Sequence, residues 1–287
     1  MTYLEPTTIL DFDSSALQNL VRDRGWSSGT DRERIGAVYR FVRDEIGFGY
    51  NISDDLPASA VLADGYGQCN TKTNLLMALL RAVGIPCRFH GATVEKALQR
   101  GVVTGIPYLL APRSILHGYA EVLFEGSWRS LEGVILDTRY LEGLRSRFPR
   151  TSGAFLGFGA GTESLSAPNN EWVGTDTSIQ KTGIDADFGP YDSPDAFYAA
   201  KGTNLSGVRA WLFRTWVRRA MNRRVAAIRA QAARPRTGCG SAAVQPQPGE
   251  VVPGVAGAIR NAPDLPRSAP TGREHREFLG SPGTHRT

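Results

Sequence analysis

Apolar residues recur at helical spacing in three stretches of the chain. The first covers residues 31–46, where Ile35, Val38, Tyr39, Phe41 and Val42 form a stripe. Thr30 or Asp31 can cap that helix and Gly47 stops it. A second helix is predicted from about Cys69, with Leu75, Leu76, Leu79, Leu80 and Val83 on one face and Gly84 and Pro86 as its end. The third runs from Val208 to Ala230 through Trp211, Leu212, Trp216, Val217, Met221, Val225 and Ile228. Strand-like patterning is found at Pro86–Gly91 and in a hairpin of Gly118–Phe124, a turn at Glu125-Gly126, and Trp128–Leu136. Between them lies a loosely patterned insertion to about Leu116, with a short helix expected at Val94–Arg100. Residues 150–204 are rich in Gly, Ser, Thr, Asn and Asp, and read as long ordered loops anchored by Trp172, Phe188, Tyr191, Phe197 and Tyr198.

Charge divides the chain. Residues 205–287 hold 14 arginines and no lysine against four acidic groups, a net of +10. Residues 1–204 hold 19 basic and 24 acidic groups, a net of −5, so the basicity says little about the main domain's substrate. From about Ala233 the composition turns to Ala, Pro, Gly, Gln and Arg, with too little apolar surface to offset the entropy of ordering. The expected organisation is a domain at 1–204, a basic amphipathic helix at 205–232 and a disordered tail at 233–287. No basic-then-apolar leader opens the chain and no apolar run approaches the ~20 residues of a spanning helix. Three widely spaced cysteines, Cys69, Cys87 and Cys239, make neither a disulfide framework nor a zinc motif, which fits a reducing cytoplasm.

Candidate chemistry centres on Cys69, where the loop Asp64-Gly65-Tyr66-Gly67-Gln68 becomes a helix. A thiol there feels the helix dipole and unpaired N–H groups; both favour thiolate, and the N–H groups can hold an oxyanion. His117 opens a strand whose alternation puts His117, Tyr119, Glu121 and Leu123 on one face. If Glu125-Gly126 is a two-residue loop, Phe124 pairs with Ser127 and Glu132 lies opposite Tyr119, diagonal to His117 and within reach. A carboxylate there would orient the imidazole. A three-residue loop would put Glu132 on the other face and leave Asp137, of opposite parity, as the reserve.

Gly67-Gln68-Cys69-Asn70-Thr71-Lys72, with Leu75 through Pro86, resembles the nucleophile segment of the transglutaminase-like superfamily. His117-Gly118-Tyr119-Ala120-Glu121-Val122, with Gly126, Trp128 and Glu132, is similar to its histidine and acid segments. The helix ending Phe41-Val42-Arg43-Asp44-Glu45-Ile46 is similar to its first core helix. Glu132 stands where the family usually has Asp, and Tyr119 where an aromatic, often Trp, is usual.

The resemblance implies an α+β, papain-like core in which a helix bearing the nucleophile packs on an antiparallel sheet. It implies a thiol enzyme, a cysteine amidohydrolase, protease or acyltransferase, that forms a thioester on Cys69 with His117 as base. Water or an amine then resolves the thioester, and the substrate is a protein, a peptide or a small amide. A silent peptide-binding module with the same fold is the alternative. Gln68, Tyr66 and Tyr119 are candidates for oxyanion or substrate contact, Gln68 equally for satisfying its own loop.

No cofactor or metal is expected, and Asp185, Asp187, Asp192 and Asp195 are the one acidic cluster to test. Cys87 and His90 read as packing residues, and Cys239, His275 and His285 as solvated in the tail. The arginines at 209, 214, 218, 219, 223, 224 and 229 suit either an anionic partner, nucleic acid or membrane, or docking on the acidic domain. Docking is favoured, so nucleic acid is not an expected partner.

Overall fold

Thr30 begins the first long helix with a reciprocal cap. Its hydroxyl accepts from Glu33 N, and the Glu33 carboxylate accepts from Thr30 N at 2.8 Å. In this computed structural model, which describes residues 3–204 and 207–232, helix α1 is Ser15–Arg24 and α2 is Asp31–Arg40. A wide π-type turn, Phe41–Glu45, continues α2 and exposes the Arg43 carbonyl to a buried partner, the Lys72 Nζ at 3.0 Å. A short parallel pair then forms between β1, Gly47–Phe48, and β2, Tyr66–Gly67, with α3, Ala58–Asp64, between them.

The central element is α4, Cys69–Ala82. Leu75, Leu76, Leu79 and Leu80 are buried, as the periodicity predicts. After Cys69 its first turns are equally buried but polar, and Asn70 through Asn74 each make at least one hydrogen bond. Thr71 donates to Asn51 Oδ1, Thr73 to the Gly118 carbonyl, and Asn74 to the carbonyls of Asp54 and Leu56. Buried polar groups are tolerated only when paired in this way. Helix α4 ends in a Schellman arrangement, Ile85 N to Leu80 O and Gly84 N to Arg81 O.

Helix α4 packs against a four-stranded antiparallel sheet. Its strands are β3, Cys87–Glu95; β4, Ser114–Phe124; β5, Ser127–Ser130; and β8, Ile184–Tyr191, in the order β5-β4-β3-β8. The architecture is α+β, a helix bearing Cys69 against a sheet bearing His117. Strand β3 runs to Glu95, past the expected end at Gly91, and only Lys96–Gln99 are helical, as a 3-10 turn. A short helix α5, Ile106–Leu110, sits in the insertion before β4.

The β4–β5 turn sets the register of everything downstream. Glu125 and Gly126 both have positive φ, 49° and 75°, the geometry of a two-residue I′ loop. Phe124 therefore pairs with Ser127 and Glu121 with Ser130. The second strand is shorter than expected. It stops at Ser130, one further bond joins Leu131 N to Ala120 O, and Glu132–Val134 form a 3-10 turn.

Two corrections concern the later chain. Asp137 caps a helix the hydropathy pattern did not reveal, α6, Thr138–Arg147, by accepting from Tyr140 N. The segment 150–204 is more regular than loops. It contributes a hairpin of β6, Phe155–Gly157, and β7, Ala160–Thr162, then β8, which pairs with β3, and α7, Pro194–Lys201. Gly189 and Pro190 disguised β8, and its register against β3 shifts twice.

The last helical stretch comprises α8, Gly207–Leu212, a π-type turn at Phe213–Val217, and α9, Arg218–Gln231. Met221, Val225 and Ile228 are buried, whereas Trp211, Leu212 and Trp216 of the same expected stripe are exposed. Several arginines dock. Arg218 bonds the Tyr66 hydroxyl, Arg224 the Val102 carbonyl, and Arg229 both Asp137 and the Phe48 carbonyl. Cys239, His275, His285 and the expected disordered tail lie outside the described residues. Among the described residues, no helix is long and apolar enough to cross a membrane.

Candidate active site

Cys69 is the first residue of α4 and is partly exposed. Lys72 N already bonds Gln68 O, so the N–H groups of Cys69, Asn70 and Thr71 are the ones the helix leaves without internal acceptors. The next side chain, Asn70, donates through Nδ2 to the Leu116 carbonyl at 3.1 Å. That bond ties the start of α4 to β4 one residue before His117.

Strand parity and a tight crossing deliver the imidazole. Gly118, Ala120 and Val122 are buried on the face toward the core. A methyl group built on Gly118 would meet Phe89 Cζ at 1.9 Å, so only glycine lets the strand lie this close. His117 and Tyr119 share the opposite face, their rings 6.0 Å apart. His117 is fully buried.

Its Nε2 lies 3.1 Å from Glu132 Oε1. The second carboxylate oxygen accepts from Ile179 N at 3.1 Å and Gln180 N at 3.3 Å, so the acid is held on both sides. His117 Nδ1 has no formed hydrogen bond, which leaves it available to the thiol. Burial disfavours the imidazolium. The Cys69 sulfur and then the Glu132 carboxylate outweigh it and push the His117 pKa up to about 10. The imidazole thus lies between the Cys69 sulfur and the Glu132 carboxylate.

The remaining candidates sit elsewhere. Asp137 is committed to Arg229, Phe48 N and Tyr140 N and makes no bond to His117. Gln68 uses its amide within the loop, accepting from Asn51 N at 2.8 Å and donating to Asp54 at 3.1 Å. Tyr66 is engaged by Arg218, away from the cleft onto which Cys69 opens. Tyr119 stacks on His90 at 4.6 Å between centroids, nearly parallel. His90 itself bonds Glu121 and Asp187.

Three of the four aspartates of the acidic cluster bond separate partners. Asp185 bonds Thr93 and Ser114, Asp187 bonds His90, and Asp195 bonds Thr7 and Ile9 N. Among the described residues, no group of three or more His, Cys, Asp or Glu could hold a metal. Cys87 is buried, and its thiol is pushed up to about 11 by that burial.

Residues 20–133 match the model of the transglutaminase-like superfamily. That stretch is similar to a transglutaminase-like domain. Cys69, His117 and Glu132 all fall within it, whereas Ile179 and Gln180, which hold Glu132, fall outside.

Two solved structures are similar to this chain. One is a putative cysteine protease from Cytophaga hutchinsonii, 14% identical, TM-score 0.38, covering 68% of this chain and 47% of that one. The other is a putative protease from Parabacteroides distasonis, 14% identical, TM-score 0.29, covering 53% of this chain and 28% of that one. The chain thus spans about half or less of the length of each. No curated protein matches it.

Proposed function

We propose that the transglutaminase-like domain is a thiol enzyme for amide bonds, with Cys69 as nucleophile, His117 as base and Glu132 as orienter. The observation that supports this reading is the His117–Glu132 contact through Nε2, with the Cys69 sulfur near enough to help raise the His117 pKa.

In the reaction, the Cys69 thiolate attacks the carbonyl carbon. The N–H groups at the start of α4 receive the oxyanion. His117 holds the thiol proton and delivers it to the leaving amine, so the amide C–N bond breaks as the C–S bond forms. Water or an incoming amine then opens the thioester, again with His117 as proton carrier. Glu132 keeps the ring oriented and supports its positive charge. The same triad serves hydrolysis and acyl transfer.

The test is intact-mass analysis after incubation with activated acyl esters. A stable acyl adduct on the wild type that is lost in Cys69→Ala supports the enzyme. Full biological activity of Cys69→Ala, with no adduct on the wild type, would instead favour a silent peptide-binding module.

A further inference from the structure

The cleft beside Cys69 has a volume of about 550 Å3, within the range of small-molecule sites. Phe48, Tyr50, Leu98, Val103, Phe213 and Met221 line it. Its rim carries Ile106 and Leu110 from α5 on one side and Leu212 and Trp216 on the other. These four are 71%, 67%, 44% and 74% exposed. The apolar surface therefore runs from the nucleophile outward to solvent.

Several polar groups in the cleft are engaged with one another, whereas Asn70 Oδ1 and Gln180 Oε1 accept no hydrogen bond. Asp54 accepts from Gln68 and from the Asn204 amide, and Arg214 donates to the Ile52 carbonyl. The strand edge nearest the thiol is closed too. Leu116 N donates to Asn204 Oδ1, and Leu116 O accepts from Asn70 and Asn204. An extended peptide that recognises a strand edge needs those backbone groups. Most of what the cleft offers a ligand is hydrocarbon contact.

We propose that the cleft takes the aliphatic chain of an acyl donor, so that the substrate class is N-acyl amides with a medium or long hydrocarbon chain. This rests on the reading of Cys69 as the nucleophile. In the amide reaction, the Cys69 sulfur bonds the acyl carbon, the C–N bond breaks, and the amine leaves with the proton carried by His117. Water or an amine then displaces the thiol and regenerates it. No redox step is involved.

The experiment uses the full chain with p-nitrophenyl acetate, octanoate and dodecanoate, each below its micelle concentration. Nitrophenolate release and the mass of the Cys69 thioester are followed. Each methylene that leaves water contributes up to about fourfold. Acylation per unit concentration should accordingly rise at least about tenfold from acetate to octanoate. Leu110→Asp and Leu212→Asp, both at exposed positions, should reduce the octanoate-to-acetate ratio severalfold while circular dichroism stays native.

Equal acylation by acetate and octanoate, with Cys69 labelled by both, would overturn the chain-binding proposal and leave the thiol enzyme standing. Absence of any Cys69 adduct would remove both. In a paired assay, cleavage of acetyl-Ala-Ala p-nitroanilide in preference to octanoyl p-nitroanilide would also overturn the proposal, in favour of a peptide.

Discussion

The Arg229 guanidinium makes a two-point contact with the Asp137 carboxylate, Nε to Oδ1 at 3.1 Å and Nη2 to Oδ2 at 2.5 Å. Nη2 also donates to the Phe48 carbonyl. The pair therefore joins α9 to the start of α6 and to β1. Burial opposes the charge on Asp137, but Arg229 and the Phe48 N–H outweigh it and hold its pKa below the ordinary carboxylate range.

Asp137→Ala should lower stability by about 3 kcal/mol, because it strips the α6 cap and leaves Arg229 without its partner. Urea denaturation measures the loss. Cys69 alkylation in the still-folded variant should match the wild type, since Asp137 makes no bond to His117. A selective loss of thiol reactivity at unchanged stability would contradict this division of roles.

Iodoacetamide should modify Cys69 ahead of Cys87 at neutral pH. Cys69 is partly exposed at a helix start beside an imidazolium, whereas Cys87 is buried with its thiol pushed up. Peptide mapping by mass reads the order directly. His117→Ala should slow Cys69 labelling at pH 7, by about tenfold or more if the thiolate depends on the imidazolium.

Activity should persist to alkaline pH and decline as His117 loses its proton, toward its raised value of about 10. The Glu132 carboxylate contributes to that rise, so Glu132→Gln should move the alkaline limb downward. Its maximal rate should also fall, by roughly 10²-fold or more. An unshifted limb in a pH–rate profile of the variant would argue against Glu132 as the partner of the charged ring.

Lys72 supplies a pH dependence of the opposite kind. Burial lowers its pKa to about 7, with Asp137 and Asp44 only partly compensating. Below pH 7 it is charged in both folded and unfolded chains, and the folding penalty is fully present. Between pH 7 and about 10.5 the unfolded chain binds more protons, so stability from this residue rises with pH. The stability of the wild type minus that of Lys72→Met should therefore increase from pH 7 to 10, by a few kcal/mol at most.

Adding one methyl at Gly118 should be severe, because it collides with the Phe89 ring. Gly118→Ala is expected to destabilise by about 1–3 kcal/mol through overpacking. It should also displace His117, costing activity beyond the stability loss. Double substitution with Phe89→Leu should recover part of both, and activity assays with thermal melts on the three variants check it.

Much of the site was legible because it rests on local rules. The glycine-rich run before Cys69 and the apolar spacing after it predicted the helix start. The sequence leaves a two- or a three-residue loop open at Glu125-Gly126, and the turn adopts the two-residue form that pairs Phe124 with Ser127. Glu132 comes to His117 from a 3-10 turn rather than from a continuing strand, since the strand ends once Leu131 has bonded Ala120. What escaped was contact-driven. No periodicity marks β8, an edge strand interrupted by Gly and Pro, nor the Ile179 and Gln180 N–H groups. Apolarity alone did not separate Met221, which is buried, from Trp216, which faces solvent.

The double anchoring of the Glu132 carboxylate has a consequence for what counts as the smallest working unit. A polypeptide cut at residue 133 would retain sulfur, imidazole and acid together with the whole stretch that matches the superfamily model. It would still forfeit the Ile179 and Gln180 amides, 47 and 48 positions beyond Glu132, that hold the acid's second oxygen. The reactive groups fall inside the matched stretch, while the means of holding the acid still lies beyond it.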